Sequence, residues 1–280
     1  MNKKRGKITG IIKYIVVAGV GVIMIVPFFW LVSASLMTLN EFISVPPKWI
    51  PANPQWHNYV DVFHHVPFLR YYLNSFIVAI SVTALVLLTS AMGGYAFAKL
   101  NFFGKKALFR FTLSTMMFPA FLFLIPNFYL VTLFGWTSNY LSLIMPFAVS
   151  AYGIFLLRQF IMGIPPDLID AAKIDGASQF AIFTKIIIPL TKPALATLAI
   201  LTFIGQWNSF LWPLIITSFS PEMTTVPVGL SKLSLAFSTY TNQNLILAGM
   251  VLQIIPVVAL FLYMQRYYIK GIVLTGFGGI

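Results

Sequence analysis

Long apolar stretches alternate with short polar ones along the whole chain. Five stretches contain no Asp, Glu, Lys or Arg, and each exceeds the roughly 20 residues that a helix needs to cross a bilayer. They cover residues 14–40, 71–98, 111–157, 193–221 and 233–265. The third holds a turn-rich cluster at residues 135–139, so it is expected to form two spans. The pattern therefore predicts an all-α integral membrane protein with six transmembrane helices.

The apolar runs also set the expected boundaries of these helices. We expect them at about residues 11–36, 71–98, 107–133, 140–160, 193–216 and 244–268. A single membrane domain over residues 1–280 is the simplest division. It comprises an amino-terminal segment with the first helix (1–36), an extracytoplasmic loop (37–67), the core helices (68–268) and a cytoplasmic tail (269–280).

Composition and charge support this division and assign it an orientation. The chain is 59% hydrophobic and 9% charged, with a net charge of +12. With the amino terminus in the cytoplasm, 15 of the 18 Lys and Arg residues fall on the inner side, as the positive-inside rule requires. Both termini are then cytoplasmic, and the basic charge needs no nucleic-acid partner. The first apolar run passes Trp30 without a signal-peptide cleavage site, so we expect this helix to be retained.

Three of the six acidic residues lie close together in the inner segment 162–192, between the fourth and fifth helices. Asp167, Asp170 and Asp175 fall within nine positions. Pro165-Pro166 before Asp167 is typical of a helix start, and Gly176 is typical of a left-handed residue that ends a helix. A second helix should follow from Ala177 and end at Pro189. The apolar residues expected to bury its inner face are Phe180, Phe183, Ile186, Ile187 and Ile188.

Two interpretations of this acidic stretch are open. It is either an amphipathic helix resting on lipid headgroups or a docking element for a cytoplasmic protein. Interfacial helices usually carry Lys and Arg on the polar face, and anionic inner-leaflet lipid repels aspartate. The docking interpretation is therefore favoured.

The same stretch resembles a known family. It looks like the "EAA" loop of permease subunits in bacterial ATP-binding-cassette importers, and is most similar to the carbohydrate-uptake branch with its shorter maltose-type permease. Asp170 stands where that family usually has Glu, and Ile188 where it usually has Leu. Residues 71–80, 93–105 and 203–214 also look like family positions. The residues that carry the resemblance are Asp170-Ala171-Ala172, Asp175-Gly176-Ala177, Phe183, Ile186, Pro189-Leu190 and Pro193.

The resemblance implies a function and a set of partners. Loops of this kind form coupling helices that sit in a cleft of the ATPase subunit, and the permease moves a sugar or oligosaccharide inward by alternating access. The implied partners are a second related permease, two ATPase subunits, an extracytoplasmic solute-binding protein and the lipid of the bacterial inner membrane. The implied ATPase-coupling residues are Asp170, Ala171, Ala172, Asp175, Gly176 and Ala177.

ATP chemistry is expected in a separate subunit. The chain has no glycine-rich phosphate-binding loop ending in Gly-Lys-Ser/Thr, so ATP and Mg should be used by the partner ATPase, with no cofactor on this chain. This makes it a transport subunit rather than an enzyme. His57, His64 and His65 do not have the i, i+4 spacing of a helical metal pair, so no metal site is expected.

Neutral polar residues within the spans are candidates for the substrate pathway, because polar groups are costly in lipid. Hydrogen bonding between helices is the favoured alternative for any one of them. An ion-coupled secondary transporter is the alternative function, although the spans lack the ionisable group that such proteins usually carry. The pathway candidates are Gln206, Asn208, Asn74, Asn127 and Gln253.

Overall fold

The computed structural model describes residues 2–236 and 243–276, and these form helices and connecting turns with no strand. A π-helical segment, Phe183–Ile187, joins α10 to α11, and 3₁₀ turns lie at Ala120–Phe123, Met145–Phe147 and Pro221–Met223. The α-helices are α1 (Asn2–Ser35), α2 (Leu39–Phe42), α3 (His57–His65), α4 (Phe68–Lys99), α5 (Lys105–Thr115), α6 (Leu124–Leu133), α7 (Leu141–Ile144), α8 (Ala151–Met162), α9 (Pro166–Ile174), α10 (Gln179–Ile182), α11 (Ile188–Leu190), α12 (Lys192–Trp207), α13 (Leu211–Thr217), α14 (Val226–Ala236) and α15 (Gln243–Gly276).

Three of these helices are long and apolar enough to cross a membrane. They are the Lys13–Ser35 part of α1, the whole of α4, and the Gln243–Tyr263 part of α15. Three bent pairs of helices within the described residues pass the same test, which gives up to six spans if each pair is one span. The first, second and sixth predicted helices are thus present close to their expected bounds.

The other three predicted helices are broken, so their prediction as continuous helices is wrong. The chain bends by 98° between α5 and α6 and by 44° between α7 and α8, and a further bend of 75° between residues 190 and 192 lies just before the predicted fifth helix. The first break falls at Pro119, which lacks an N–H and precedes a 3₁₀ turn. The fifth predicted helix ends at Trp207 rather than at residue 216, and α13 follows after a three-residue gap. The predicted loop 37–67 contains α2 and α3.

The chain forms two compact units, of which the first comprises residues 1–68 and 229–255. The apolar side chains of α1 from Tyr14 to Phe29 are exposed. At the end of α1, the buried Asn58 of α3 donates from Nδ2 to the carbonyl of Ser35 at 2.9 Å. Its Oδ1 accepts from Asn244 at 3.2 Å. One amide therefore fixes α3 to the end of α1 and to the start of α15.

The second unit comprises residues 69–228 and 256–280, and it contains the acidic stretch. Within it α4 and α8 approach so closely that a β-carbon on Gly94 would lie 2.9 Å from the backbone nitrogen of Arg158. One turn earlier on α4, the fully buried Ser90 faces Gly153, where a β-carbon would overlap its hydroxyl. Small residues at such crossings let helices pack backbone to backbone.

Candidate functional site

The acidic segment, defined here as residues 166–190, begins with the short helix α9. Pro166 lies in its first turn together with Asp167, and Lys173 lies in its last turn. Pro166 is favourable at the first helical position. The acidic Asp167 at the amino end and the basic Lys173 at the carboxyl end both interact favourably with the helix dipole. Asp170 and Lys173 form an exposed ion pair of 2.8 Å, and within α9 only Ile169 is buried. Nearly the whole surface of α9 is therefore available to another molecule.

Gly176 ends α9 in the left-handed conformation, as the sequence predicts. Its φ is 76°. The Gly176 N–H donates to the carbonyl of Lys173 at 3.0 Å, and the Ala177 N–H donates to the carbonyl of Ala172 at 2.9 Å. These two bonds form a Schellman motif, which satisfies the last carbonyls of a helix. Ser178 then caps the next helix by accepting from the N–H of Ala181 at 3.2 Å, so the helix, bend and second helix of the prediction are confirmed.

The second helix buries most of the predicted face together with Ile182, and Phe180 is the exception. Ile182 and Ile187 are fully buried, whereas Phe180 is 74% exposed, so its predicted burial is wrong. The π-helical segment explains the difference, because its wider turn places residues five apart on the same side. Phe183, Ile186 and Ile188 are half-buried. The segment continues through Pro189 to Leu190 and turns at Thr191, two residues later than predicted.

The residues on the two sides of the bend form an exposed face that carries both acidic and apolar side chains. Ile174 is 86% exposed just before it and Phe180 is 74% exposed just after it. Asp170, Ala171 and Asp175 are also exposed, whereas Ala172 and Ala177 are half-buried and pack against the core. Sequence reasoning found the aspartates but missed both apolar residues. Their signal is present in the sequence as large apolar residues flanking a Gly-ended helix.

A cavity of about 490 Å³ opens beside α9. Phe160 and Gln159 of α8 line one side, Leu168 of α9 another, and Leu190 a third. The acidic segment is therefore not packed tightly along its whole length. A side chain from a docked protein has room to enter at this edge.

The predicted pathway residue Asn74 is engaged within the chain. It is 2% exposed, and its Nδ2 donates to the carbonyls of Glu222 and Thr224, each at 2.8 Å. Its Oδ1 accepts from the Tyr140 hydroxyl at 2.6 Å. Three hydrogen bonds occupy most of what an amide side chain can form. The geometry therefore favours the packing role for Asn74 over contact with a solute.

The other four pathway candidates are less enclosed. Gln206 is half-buried at the end of α12, and Asn208 is exposed just beyond it. Both amides lie where α12 ends and the three-residue gap that separates it from α13 begins. Asn127, on α6, lines a cavity of about 210 Å³. Gln253 is half-buried on the part of α15 that belongs to the first unit.

Residues 86–273 match the family model described as "Binding-protein-dependent transport system inner membrane component". The chain is 35% identical over 257 residues to the arabinooligosaccharides transport system permease protein of Bacillus subtilis, covering 90% of each chain. It is 33% identical to the sn-glycerol-3-phosphate transport system permease protein of Yersinia enterocolitica, covering 91% of this chain and 92% of the relative.

Among solved structures, the chain is similar to a subunit of a bacterial ABC transporter involved in the import of the acidic polysaccharide alginate. The TM-score is 0.82 at 25% sequence identity, and the match covers 94% of this chain and 97% of the other. The helix breaks described above therefore belong to a fold with a solved counterpart.

Proposed function

The chain belongs to the family of binding-protein-dependent transport system inner membrane components, and we propose that it is the permease that carries a sugar or oligosaccharide into the cell in an ATP-driven importer. It is a multi-pass protein of the cytoplasmic membrane and a transport subunit. The observation that carries the finer proposal is the exposed face of acidic and apolar residues around Gly176.

The proposed topology has six spans, with both termini in the cytoplasm. Three long helices, two bent pairs and α12 supply six apolar lengths within the described residues, since the half of the third bent pair at 179–190 belongs to the acidic segment. The basic residues then gather on the side that carries the acidic segment, in agreement with the positive-inside rule. This orientation exposes the acidic segment to soluble partners of the cytoplasm. Residues 277–280 of the predicted tail lie outside the described residues.

The proposed role of the acidic segment is to dock an ATPase subunit. Asp170, Ala171, Asp175 and Gly176 supply the exposed polar and backbone surface, while Ile174 and Phe180 supply apolar area. Ala172 and Ala177 hold the bend against the core. In this assignment ATP and Mg are used by two ATPase subunits, and alternating access is shared with a second, related permease. The outer loops face an extracytoplasmic solute-binding protein.

The proposed substrate is a sugar or oligosaccharide. Two relatives are named for solutes rich in hydroxyl groups, arabinooligosaccharides and alginate. Neutral amides suit the hydroxyl groups of such solutes because an amide can both donate and accept hydrogen bonds. We place Gln206 and Asn208 on the pathway first, with Asn127 and Gln253 as further candidates.

Affinity purification of the tagged chain from its native cells in mild detergent tests the proposal. We expect an ATPase subunit and a second permease to co-elute. Scrambling residues 170–177 should release the ATPase without preventing membrane insertion. Scrambling the loop 101–104 should leave the ATPase bound. A chain that purifies alone and transports its solute with an ion gradient would overturn the proposal.

A further inference from the structure

The last two turns of α4 contact the acidic segment and the residue that leads into it. The Tyr95 hydroxyl donates to Oε1 of Gln179 at 2.7 Å. One turn later, the Lys99 ammonium donates to the carbonyl of Ile164 at 2.6 Å. Gln179 begins α10, after the bend, and Ile164 lies two residues before α9. The two bonds therefore hold the segment on both sides of Gly176.

The Tyr95 contact is more than one hydrogen bond. The side chain is 6% exposed, and its ring centroid lies 5.5 Å from that of Phe183. Phe183 follows Gln179 by one helical turn, so a single tyrosine spans a full turn of the second helix. Aromatic pairs at this distance stabilise a fixed orientation. The second half of the segment therefore cannot rotate without losing both contacts.

The inner end of α4 is itself fixed to α8. Besides the close approach at Gly94, Nε of Arg158 donates to the carbonyl of Phe97 at 3.3 Å. The Arg158 guanidinium also lies 4.1 Å from the centre of the Phe109 ring. A displacement of the inner end of α4 would therefore also move α8, the helix that precedes α9 in the chain.

We propose that Tyr95 and Lys99 are positioning residues that make both halves of the acidic segment move with the inner end of α4. The inference rests on the proposed docking of an ATPase to this segment. A glycine bend alone is compliant, so a displacement applied to α9 would be absorbed by rotation at Gly176. With one bond on each side of the bend, the displacement reaches α4 instead, which is one of the long apolar helices.

Distance measurements between two spin labels test this assignment. The chain contains no cysteine, so Asp167→Cys on α9 and Phe103→Cys just beyond α4 provide unique, exposed labelling sites. The labels are measured in the purified assembly in nanodiscs, without nucleotide and with ATP, Mg and vanadate. In the otherwise unchanged chain we expect the same distance in both states.

Removing the hydrogen bonds made by Tyr95 and Lys99 should let the two labels separate when nucleotide binds. Tyr95→Phe and Gln179→Leu each remove one neutral hydrogen bond, and we expect each to raise the displaced population by about fivefold. Lys99→Met removes a charged donor, for which we expect about tenfold. Gln179→Glu keeps an acceptor for the Tyr95 hydroxyl, so this variant should show the same label distance as the unaltered chain. Tyr140→Phe, which removes a tyrosine hydrogen bond elsewhere in the same unit, is the matched control and should change nothing.

The outcomes separate the inference from the proposed function. An assembly that hydrolyses ATP while its labels already separate without any substitution would overturn the inference alone. So would identical distances in the Tyr95, Gln179 and Lys99 variants. An unaltered chain that binds no ATPase subunit would overturn the proposed function and the inference with it.

Discussion

Substitution of Gly176 isolates the contribution of the bend to partner binding. A β-carbon at this position would meet no atom within 4 Å, so adding one causes no clash. The perturbation is therefore confined to the backbone, whose φ of 76° is favourable only for glycine and, to a lesser degree, asparagine. The series Gly176→Asn, Gly176→Ala and Gly176→Val raises the conformational strain stepwise.

The size of the effect follows from the cost of a left-handed residue. An L-residue with a β-carbon pays about 1–2 kcal/mol in this conformation. That cost lowers the ratio of bent to unbent segments by about 5–30-fold. Because only the bent form presents the docking face in our assignment, the same factor is the largest expected loss of apparent affinity for the ATPase. The loss should increase from Asn to Ala to Val.

Titration of the purified ATPase subunit onto the permease assembly in nanodiscs measures this affinity. Gly104 is a matched control, since its φ is also 76° and a β-carbon there would also meet nothing within 4 Å. Gly104→Val imposes the same strain outside the acidic segment and should leave the affinity unchanged. Equal binding by the Gly176→Val and unaltered chains would refute the reasoning, as would an equal loss in the Gly104→Val control.

Three further predictions concern the scaffold and the outer loop. Gly94→Val forces a side chain against the α8 backbone and should cost about 1–3 kcal/mol of stability. The loss should appear as a lower melting temperature in detergent. Gly21→Val is the control, since a β-carbon there would meet nothing within 4 Å, and it should leave the melting temperature unchanged. Asn74→Leu removes the hydrogen bonds to the carbonyls of Glu222 and Thr224, and we expect a loss of about 1–3 kcal/mol of stability. Faster proteolysis at residues 220–226 should report it. Hydrogen bonds from the Ala52 and Thr38 N–H groups hold the pKa of Glu41 below its usual 4.5, so its contribution to loop stability is complete above that value and is lost as the pH falls through the lowered pKa. Hydrogen exchange at residues 38–52 should therefore rise on acidification, and Glu41→Gln should remove this dependence; an unchanged pH dependence in that variant would contradict the assignment.

The features that the sequence predicts correctly are local ones. A charge-free run of sufficient length indicates a membrane helix whatever its neighbours, so α1, α4 and α15 appear near their expected bounds. The left-handed Gly176 follows from a proline start and a glycine end within about ten residues. Such signals depend on the chain within one or two helical turns.

The features that were missed depend on distant residues. Asn74 bonds carbonyls 148 and 150 positions away, which no local pattern indicates. The exposure of Phe180 depends on the π-helical segment that follows it, which shifts the inner face to Ile182 and Ile187. The sequence does not predict a break such as that at Pro119, because proline is tolerated within membrane helices and packing decides where it bends one.

The backbone contact between α4 and α8 limits the motions that the second unit can make. A one-turn slide of α4 would bring the side chain of Ser90 or Ala98 into a gap that does not admit a single methyl group at Gly94. These two helices therefore cannot slide past each other, and we expect them to move as one rigid body. The chain of this unit already bends near Pro119 and at Thr191, and we expect a rearrangement within the unit to pivot there.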